Sequence, residues 1–344
     1  MKHYLLPQKK HYYKANMHMH TKLSDGQMSP EEAKEAFKAH GYSIVAFTDH
    51  EGIVAHPELR DEDFLPITAC EIAIGESANG MVPNSNPTYH LNLFAKDPDN
   101  TVSSVFCEER IWKRIEHIKE HLNREQFRYH YPREYTVECI NGIIAQARKD
   151  GFLVSYNHPV WSLQDYTDYA ELKGLWGVEV HNTACVRMGH VDTVQPFDDL
   201  LHQGEAVVPL ATDDAHKLSE CFGGWIMVGA DCLEYTDVMQ ALENGDLYAS
   251  EGPEIHEISI EGGKLHISCS EAVSIAIASE RRFYKKMNAD GGALLTEADF
   301  DLTEYLEQTR NYPTRRMPYI RVTVIDAAGK SAWSRAYRAD ELDQ

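Results

Sequence analysis

The sequence predicts an α/β protein followed by a small all-β unit, and two observations carry this prediction. Through about residue 252, short apolar stretches typical of strands alternate with helical stretches, several of which end at glycine. From residue 253 onward, apolar and polar residues alternate instead, and glycine-containing turns separate the stretches. We therefore predict two domains, residues 1–252 and residues 253–344.

The individual elements follow from cap and strand signals. Ser29 and Pro30 begin a predicted helix that ends at Gly41, because serine caps a helix, proline suits its first turn and glycine terminates it. A second helix ends at Gly151. The predicted strands of the first domain are 44–48, 153–156, 177–180 and 206–210, and those of the second are 255–260, 264–268, 274–278 and 319–325.

Residues 97–138 break the alternation and are interpreted as an insertion. A charged stretch over 107–124 predicts a helix, and an aromatic-rich stretch follows it. Flat apolar surfaces beside cations suit a base or sugar next to a phosphate, so the insertion is predicted to be a substrate-selecting lid. The alternative is that these aromatic residues only pack the insertion onto the domain. The residues concerned are Phe127, Arg128, Tyr129, His130, Tyr131, Arg133 and Tyr135.

Composition limits the possible partners. The 344-residue chain has 33 Lys and Arg against 54 Asp and Glu, a net charge of −21, which opposes long polyanions but leaves small phosphorylated ligands possible. The seven cysteines are scattered without a C-x-x-C pattern, which argues against a disulfide framework. Neither a signal peptide nor a membrane span is apparent, so we expect a cytoplasmic protein. The oligomeric state is left open.

Six segments place His, Asp or Glu at the ends of predicted strands, and cysteine is not among the ligands that they are predicted to offer. Because side chains alternate along a strand, His18 and His20 should point to a common centre. Each segment alone also has an ordinary structural explanation, but their joint occurrence predicts a metal cluster. The segments are His18-Met19-His20 with Asp25 beyond it, Thr48-Asp49-His50, Cys70-Glu71, Tyr89-His90, Asn157-His158 and Asp213-Asp214-Ala215-His216.

Other chemistries lack their sequence signals. His117 and His121 have the spacing of a helical zinc pair, but no H-E-x-x-H pattern surrounds them, so we interpret them as surface residues. The serine-hydrolase elbow, the P-loop and the dinucleotide-binding fingerprint are all missing. Cys70 and Cys221 are interpreted as packing residues.

Over residues 14–252 the ordered motifs resemble the PHP family, named for polymerase and histidinol phosphatase domains. The resemblance rests on H-x-H, the following S-D-G, T-D-H, a strand-end Glu, two isolated His and D-x-H. It implies a distorted (β/α)7 barrel with up to three divalent ions at its mouth and a bridging water or hydroxide as nucleophile. Two departures, Asn16-Met17 before the first histidine and Ala69-Cys70 before the glutamate, remove no ligand.

The resemblance also implies a role for each ligand. His18, His20, Glu71 and Asp214 would hold a first metal, and Glu71 would bridge to a second. The second metal would be held by His90 and His158, and a third by Asp25, His50 and His216. Within this set, Glu71, Asp214 and His216 are the expected catalytic residues.

The predicted activity is hydrolysis of a small phosphate ester, such as a nucleotide, nucleoside bisphosphate or sugar phosphate. Carboxylate and imidazole ligands without thiolate suit two to three ions of Mn²⁺, Fe²⁺ or Zn²⁺. Two alternatives remain: a metal-dependent amide or lactone hydrolase of the amidohydrolase type, and a non-catalytic, metal-stabilised binding module. Arg187 and His181 are the predicted substrate contacts, with Lys217, Arg128 and Arg133 as weaker candidates.

Overall fold

The computed structural model of the protein describes residues 1–76, 85–127, 131–312 and 314–343. Its described strands are β1 (His3–Tyr4), β2 (His11–Asn16), β3 (Ile44–Phe47), β4 (Leu65–Gly75), β5 (Thr88–Ala95), β6 (Phe152–Tyr156), β7 (Gly177–Asn182), β8 (Val208–Thr212), β9 (Trp225–Ala230), β10 (Leu247–Ser250), β11 (Ile255–Glu261), β12 (Lys264–Ala272), β13 (Ser274–Ser279), β14 (Tyr284–Asn288), β15 (Leu295–Asp301), β16 (Tyr319–Ile325), β17 (Ser331–Ser334) and β18 (Tyr337–Arg338).

The described helices are α1 (Pro30–Ala39), α2 (Val137–Lys149), α3 (Tyr166–Tyr169), α4 (Thr183–Arg187), α5 (Gln195–His202), α6 (Tyr235–Asn244), α7 (Thr303–Asn311) and α8 (Ala339–Leu342). Helix α1 begins where the sequence predicts it. The Ser29 side chain accepts a hydrogen bond from the Glu32 backbone N–H, and the Glu32 carboxylate accepts one from the Ser29 backbone N–H. None of the helices formed by the described residues has the length and apolar character needed to cross a bilayer.

The α/β prediction is confirmed, in the form of a large mixed sheet. Its hydrogen-bonded order is β14-β13-β16-β17-β10-β9-β2-β3-β4-β5-β6-β7-β8, with β18 added beside β16. The pairs β2–β3, β3–β4, β6–β7 and β7–β8 are parallel, whereas β4–β5, β5–β6 and β2–β9 are antiparallel. This path is open at both ends, so the described strands form no closed barrel.

The C-terminal strands make two contributions. Strands β11, β12 and β15 form a separate four-stranded sheet with β1 from the N-terminus. Strands β13, β14, β16, β17 and β18 extend the large sheet, which they join through the β17–β10 pair. A second hydrophobic core lies between these elements and includes Ile258, Ile267, Ile277 and Val322. The division at residue 252 stays a prediction.

The prediction that the C-terminal unit contains only strands is wrong, because α7 lies within it. The helix buries Tyr305 and Leu306 in the second core, while most of its other side chains are exposed. Its first turn is fixed by Asp301, whose carboxylate accepts a hydrogen bond from the Thr303 backbone N–H at 2.9 Å.

The predicted helix over 107–124 is also replaced, here by short 3₁₀ segments at Glu108–Arg110, Lys113–Glu120 and Arg124–Phe127. A small hydrophobic cluster of Ile111, Ile115, Ile118 and Leu122 holds this region together. The Leu122 side chain lies so close to Gly52 that a Cβ atom there would come within 2.6 Å of it. Packing against the 50–54 loop therefore sets this irregular path, against local helix propensity.

Candidate metal centre

The structure brings all nine predicted ligands together. We call His18, His20, Asp25, His50, Glu71, His90, His158, Asp214 and His216 the donor cluster. Each of them belongs to at least one of four overlapping groups in which the ligand atoms lie within 4.8 Å of one another. Groups of this kind, made of imidazole and carboxylate without thiolate, suit divalent ions such as Mn²⁺, Fe²⁺ or Zn²⁺.

The first group forms where the chain leaves β2. The segment after Asn16 stays extended, with an isolated parallel bridge between Met19 and Ala215. His18 and His20 consequently point the same way, as the alternation predicts, and their Nε2 atoms are 3.2 Å apart. The Asp214 Oδ1 atom lies 3.3 Å from His18 Nε2 and 3.1 Å from His20 Nε2. Both imidazoles are fully buried.

Glu71, in β4, lies at the centre of the donor cluster. Its Oε1 atom is 3.0 Å from His90 Nδ1 and 3.3 Å from His158 Nε2. Its Oε2 atom is 3.4 Å from His20 Nε2 and 3.3 Å from His50 Nδ1. One carboxylate therefore faces all three predicted metal positions, which is the geometry expected of a bridging ligand.

The third group lies on the more open side. Asp25 Oδ1 is 3.4 Å from His216 Nε2, 3.6 Å from His50 Nε2 and 3.9 Å from His20 Nδ1. Burial and the neighbouring His20 lower the pKa of His50 to about 3, so its imidazole is neutral and available as a ligand. The His216 side chain is 33% exposed, which gives solvent access to this side of the cluster.

The pKa values of Glu71, Asp214 and His20 depend on one another. Burial opposes ionisation of Glu71, but His90 and His18 outweigh it and hold the pKa of its carboxyl well below its usual range. For Asp214, His18 and His20 likewise overcome burial and lower the pKa. Burial disfavours the protonated form of His20, yet hydrogen bonds with Asp214 and Glu71 raise its pKa to about 10. The carboxylates stay ionised and attract positive charge.

Several buried donor atoms lack a hydrogen-bond partner. Within the donor cluster these atoms are His20 Nδ1, Asp25 Oδ1, His50 Nδ1 and Asp214 Oδ1, and buried atoms elsewhere, such as Asn92 Oδ1 and Tyr337 OH, share the property. Asp25 Oδ1, His50 Nδ1 and Asp214 Oδ1 do meet other members of the cluster, at 3.4, 3.3 and 3.1 Å, in ion-pair contacts without hydrogen-bond geometry. Buried polar atoms are normally satisfied, since an unpaired one costs roughly 1–3 kcal/mol. Divalent ions would satisfy these atoms, so the residues present fit the metals that the sequence predicts.

Backbone strain accompanies the site. Three residues adopt positive φ values that residues other than glycine rarely take: Asp214 (φ 50°), His158 (φ 27°) and Glu51 (φ 64°). The Asp214 backbone is held by a hydrogen bond from its N–H to the His18 carbonyl at 3.0 Å. Strain of this kind is retained where the surroundings fix it, and it often marks functional positions.

Glu179, in β7, is a site residue that the sequence analysis missed. It is buried, and its Oε1 accepts hydrogen bonds from His18 Nδ1 at 2.7 Å and Thr212 Oγ1 at 2.8 Å. Its Oε2 accepts from the His158 backbone N–H at 3.0 Å and Asn182 Nδ2 at 2.9 Å. Glu179 therefore orients one ligand from each of two groups. The available signal was a lone carboxylate in the apolar stretch 177–180.

Asp213 and Asp214 have different environments, although they are neighbours. The Asp213 carboxylate accepts hydrogen bonds from the backbone N–H groups of Phe222, Gly223 and Gly224 and from Thr183 Oγ1. Both of its oxygens are engaged there, whereas Asp214 Oδ1 faces the Nε2 atoms of His18 and His20. This agrees with the choice of Asp214 as the ligand.

The predicted substrate contacts lie outside the donor cluster. His181 is buried, with Nδ1 hydrogen-bonded to Asp192 and Nε2 3.1 Å from Thr183 Oγ1. Glu251 lies 3.5 Å from His181 Nδ1. We call His181, Asp192 and Glu251 the His181 network. The exposed Arg187 donates a hydrogen bond to the Cys221 carbonyl at 3.2 Å, so a substrate contact by either residue stays a prediction.

The prediction that Arg133 contacts phosphate is wrong, because its guanidinium is buried in an ion pair. Its Nη1 donates to Glu51 Oε2 at 2.6 Å and its Nη2 donates to the Val105 carbonyl at 3.0 Å. The Glu51 backbone N–H in turn donates to the Glu71 carbonyl at 2.8 Å. Arg133 thus ties the 97–138 region to the loop that carries His50.

The aromatic residues of the insertion divide into two kinds. Phe127, Tyr131 and Tyr135 are partly buried against the main core, which supports the packing alternative for them. Trp112, which the sequence analysis did not single out, is 39% exposed and its ring centroid lies 5.0 Å from that of His50. The other residues named for the lid, Arg128, Tyr129 and His130, lie outside the described residues.

His117, one of the two histidines with the spacing of a helical zinc pair, contacts the Lys22 carbonyl at 2.8 Å.

The seven cysteines, all of which lie in the described part of the chain, form no disulfide with one another. Burial raises the pKa of the Cys70 thiol well above its usual range and also raises that of Cys221. Raised thiol pKa values disfavour the thiolate form, in agreement with the interpretation of both residues as packing residues.

The family model of the PHP domain matches residues 16–224. This match covers more than half of the chain, and the protein therefore belongs to the PHP domain family. It also contains the residues of the donor cluster, from His18 to His216. The family resemblance drawn from the sequence is confirmed.

Comparisons with individual proteins give distant similarities. No curated protein matches the sequence. A solved structure from Bacteroides vulgatus, a two-domain protein containing a predicted PHP-like metal-dependent phosphoesterase, is 14% identical with a TM-score of 0.43, over 97% of this chain and 98% of that one. The lesion-specific endonuclease PfuEndoQ from Pyrococcus furiosus is 15% identical with a TM-score of 0.41, over 68% of this chain and 56% of that one.

An amidohydrolase from Chromobacterium violaceum, solved with bound sulfate and no metal, is 14% identical to this chain. Its TM-score is 0.39, and the similarity covers 68% of this chain and 96% of that one.

Proposed function

We propose that this protein is a metal-dependent phosphoesterase that hydrolyses a small phosphate ester, such as a nucleotide, nucleoside bisphosphate or sugar phosphate. Membership of the PHP family supports metal-dependent phosphoester hydrolysis in general, and the substrate class is our inference. The single observation that carries the proposal is the convergence of nine imidazole and carboxylate side chains, most of them buried, in the donor cluster. Donors of these two kinds, without thiolate, suit divalent cations.

The donor cluster would hold two to three divalent ions. His18, His20, Glu71 and Asp214 would hold the first ion, and Glu71, His90 and His158 the second. Asp25, His50 and His216 would hold the third. When bound, such ions polarise phosphoryl oxygens and neutralise the charge that develops during hydrolysis.

The chain's own groups complete the site. Glu71 keeps a negative charge between the three groups, and Glu179 holds the imidazole of His18 in place. Asp25 and His216 face the open side, where a proton can pass between the site and solvent.

Three further properties belong to this proposal. A barrel-like arrangement of β2 to β9 is favoured by the parallel β2–β3–β4 and β6–β7–β8 pairs, whose carboxyl ends carry the donors. The net charge of −21 favours small phosphorylated substrates over nucleic-acid polymers. A cytoplasmic location remains part of the proposal.

Phosphate release after metal removal tests the proposed function. The protein is stripped with a chelator, supplied again with Mn²⁺, and incubated with nucleotides, sugar phosphates, single-stranded DNA, a lactone and an amide. We expect Mn²⁺-dependent release from small esters that the Glu71→Gln variant loses. The Glu35→Gln variant, changed on the exposed face of α1, is the matched control and keeps activity.

Three outcomes would contradict the proposal. Faster hydrolysis of the polymer than of mononucleotides, at equal phosphate-bond concentration, would exclude the small-substrate class. Turnover of the lactone or amide alone would favour the amidohydrolase alternative. A protein that binds metal, unfolds when metal is removed and turns over nothing in the panel would favour a binding module.

A further inference from the structure

A cleft opens beside the donor cluster on the side of His158. It is shallow and open to solvent, and its walls include His158, Val160, Trp161, Asn182, His190 and Val191. We call it the Trp161 cleft. Three of its apolar residues are exposed: Val191 by 77%, Val160 by 42% and Trp161 by 36%. Large apolar groups that meet in one exposed concave site often mark a binding surface.

Trp161 is fixed in place by the metal-binding side of the molecule. Its ring meets His90 at 5.4 Å between centroids and His158 at 5.1 Å, in both cases edge to face. Trp161 nevertheless remains 36% exposed and lines the cleft, so part of its surface is accessible there. The rigid, two-sided support orients the indole without side-chain freedom to lose on binding.

The cleft is continuous with the donor cluster. His158 belongs to the predicted second metal group and also lines the cleft, and Glu179, which positions His158, lines it as well. A phosphate held near His90 and His158 would therefore extend its substituent along Trp161. Asn182 and His190 supply polar groups on the same wall.

We propose that the Trp161 cleft binds a planar aromatic substituent of the substrate, with Trp161 as the stacking surface. This inference rests on the proposed phosphoesterase function and sharpens it, because it selects aryl or nucleobase-bearing esters over sugar phosphates. Stacking suits this role, since every aromatic ring offers a flat face and the contact needs no hydrogen-bond pattern. Val160 and Val191 exclude water from the edges of the bound ring.

Binding of phosphonates, which carry a phosphorus–carbon bond that hydrolysis does not cleave, tests the inference. Calorimetry on the Mn²⁺-loaded protein compares phenylphosphonate, cyclohexylphosphonate and methylphosphonate. We expect phenylphosphonate to bind about tenfold more tightly than methylphosphonate, with cyclohexylphosphonate in between, because only a flat ring stacks. Equal affinities for the three probes would overturn the inference and leave a phosphate site in place. If none of them binds, the proposed function fails together with the inference.

Variants of Trp161 test whether the preference for the phenyl ring arises in the Trp161 cleft. Trp161→Ala should abolish the phenyl preference without changing methylphosphonate affinity, and Trp161→Phe should keep most of it. The matched control is Trp112→Ala, because Trp112 is similarly exposed and contacts His50 on the other side of the site. A preference lost equally in Trp112→Ala and Trp161→Ala would contradict the assignment to this cleft. If Trp161→Ala does not fold, the comparison of the three phosphonates on the unaltered protein still tests the inference.

Discussion

The donor cluster and the His181 network both bring histidine and carboxylate atoms within metal-binding distance, yet they differ in hydrogen bonding. In the His181 network, both imidazole nitrogens have partners, and Glu251 is further engaged by Lys330 at 2.9 Å and the Ser331 backbone N–H at 3.0 Å. In the donor cluster, His20 Nδ1 is buried without a hydrogen-bond partner, and Asp25 Oδ1, His50 Nδ1 and Asp214 Oδ1 meet other members only in ion-pair contacts without hydrogen-bond geometry.

This difference shows why proximity alone does not define a metal site. A satisfied network gains nothing by binding a cation, which would have to displace hydrogen bonds and the Lys330 ammonium. Unsatisfied buried donors, in contrast, are costly until a cation arrives. We therefore expect changes in the donor cluster to affect metal content and activity, and changes in the His181 network to affect neither strongly.

The largest effect is expected from Glu71→Gln. The change removes the one carboxylate that faces all three groups, so the variant should lose metal and about a thousandfold in kcat/KM, equivalent to several kcal/mol of transition-state stabilisation. Metal analysis and phosphate release measure this. Near-normal activity in Glu71→Gln would show that the bridging assignment is wrong.

A smaller loss is expected from Glu179→Gln, because Glu179 contacts ligands and not the predicted metals. Replacing a carboxylate behind a metal ligand typically costs about 10–100-fold in metal affinity or activity. Titration of the stripped variant with Zn²⁺, beside the unaltered protein, gives the affinity change. An unchanged affinity would mean that the hydrogen bond to His18 does not orient it.

Acid should weaken metal binding, because a proton and a metal ion compete for each imidazole. The carboxylates around His20 raise the pKa of its imidazole to about 10. Below that pH the imidazole binds a proton that stabilises the metal-free protein. A metal ion must displace this proton in order to bind. Each displaced proton weakens metal affinity about tenfold per pH unit of acidification. The rise in Tm on adding Mn²⁺ should therefore be larger at pH 8 than at pH 6, and a constant rise would contradict this competition.

The smallest effect is expected from Asp192→Asn, in the His181 network. Asp192 lines the Trp161 cleft but lies outside the donor cluster, and the change keeps the shape of its side chain. We therefore expect unchanged metal content and activity within about twofold of the unaltered protein. A loss comparable to that of Glu179→Gln would show that the His181 network takes part in the reaction.

The sequence predicted the donor cluster well because strand geometry is local. Alternation places His18 and His20 on one side, and His158 follows the buried strand β6 directly. Glu71 lies within the buried strand β4 and not at its end, because β4 continues to Gly75. The antiparallel β4–β5–β6 order was not predicted, because it depends on which strands meet in space. Glu179 was missed since a carboxylate inside a strand resembles a structural residue until its partners are known.

The insertion shows where local signals fail. Its charged residues suggest a helix, but packing of Ile115, Ile118 and Leu122 against the 50–54 loop selects 3₁₀ segments instead. Arg133 looks like a solvated phosphate contact, and only the folded chain brings Glu51 beside it. Trp112 and Trp161 carry no sequence signal of their own, because their positions beside histidine rings are set by tertiary structure.

Metal analysis of the gently purified protein tests the central claim most directly. The unaltered protein and Asp192→Asn should each carry two to three divalent ions per chain, and Glu71→Gln should carry fewer. A tightly bound stoichiometry below one ion in the unaltered protein would contradict the metal cluster. Equal metal loss in Asp192→Asn and Glu71→Gln would contradict the distinction between the His181 network and the donor cluster.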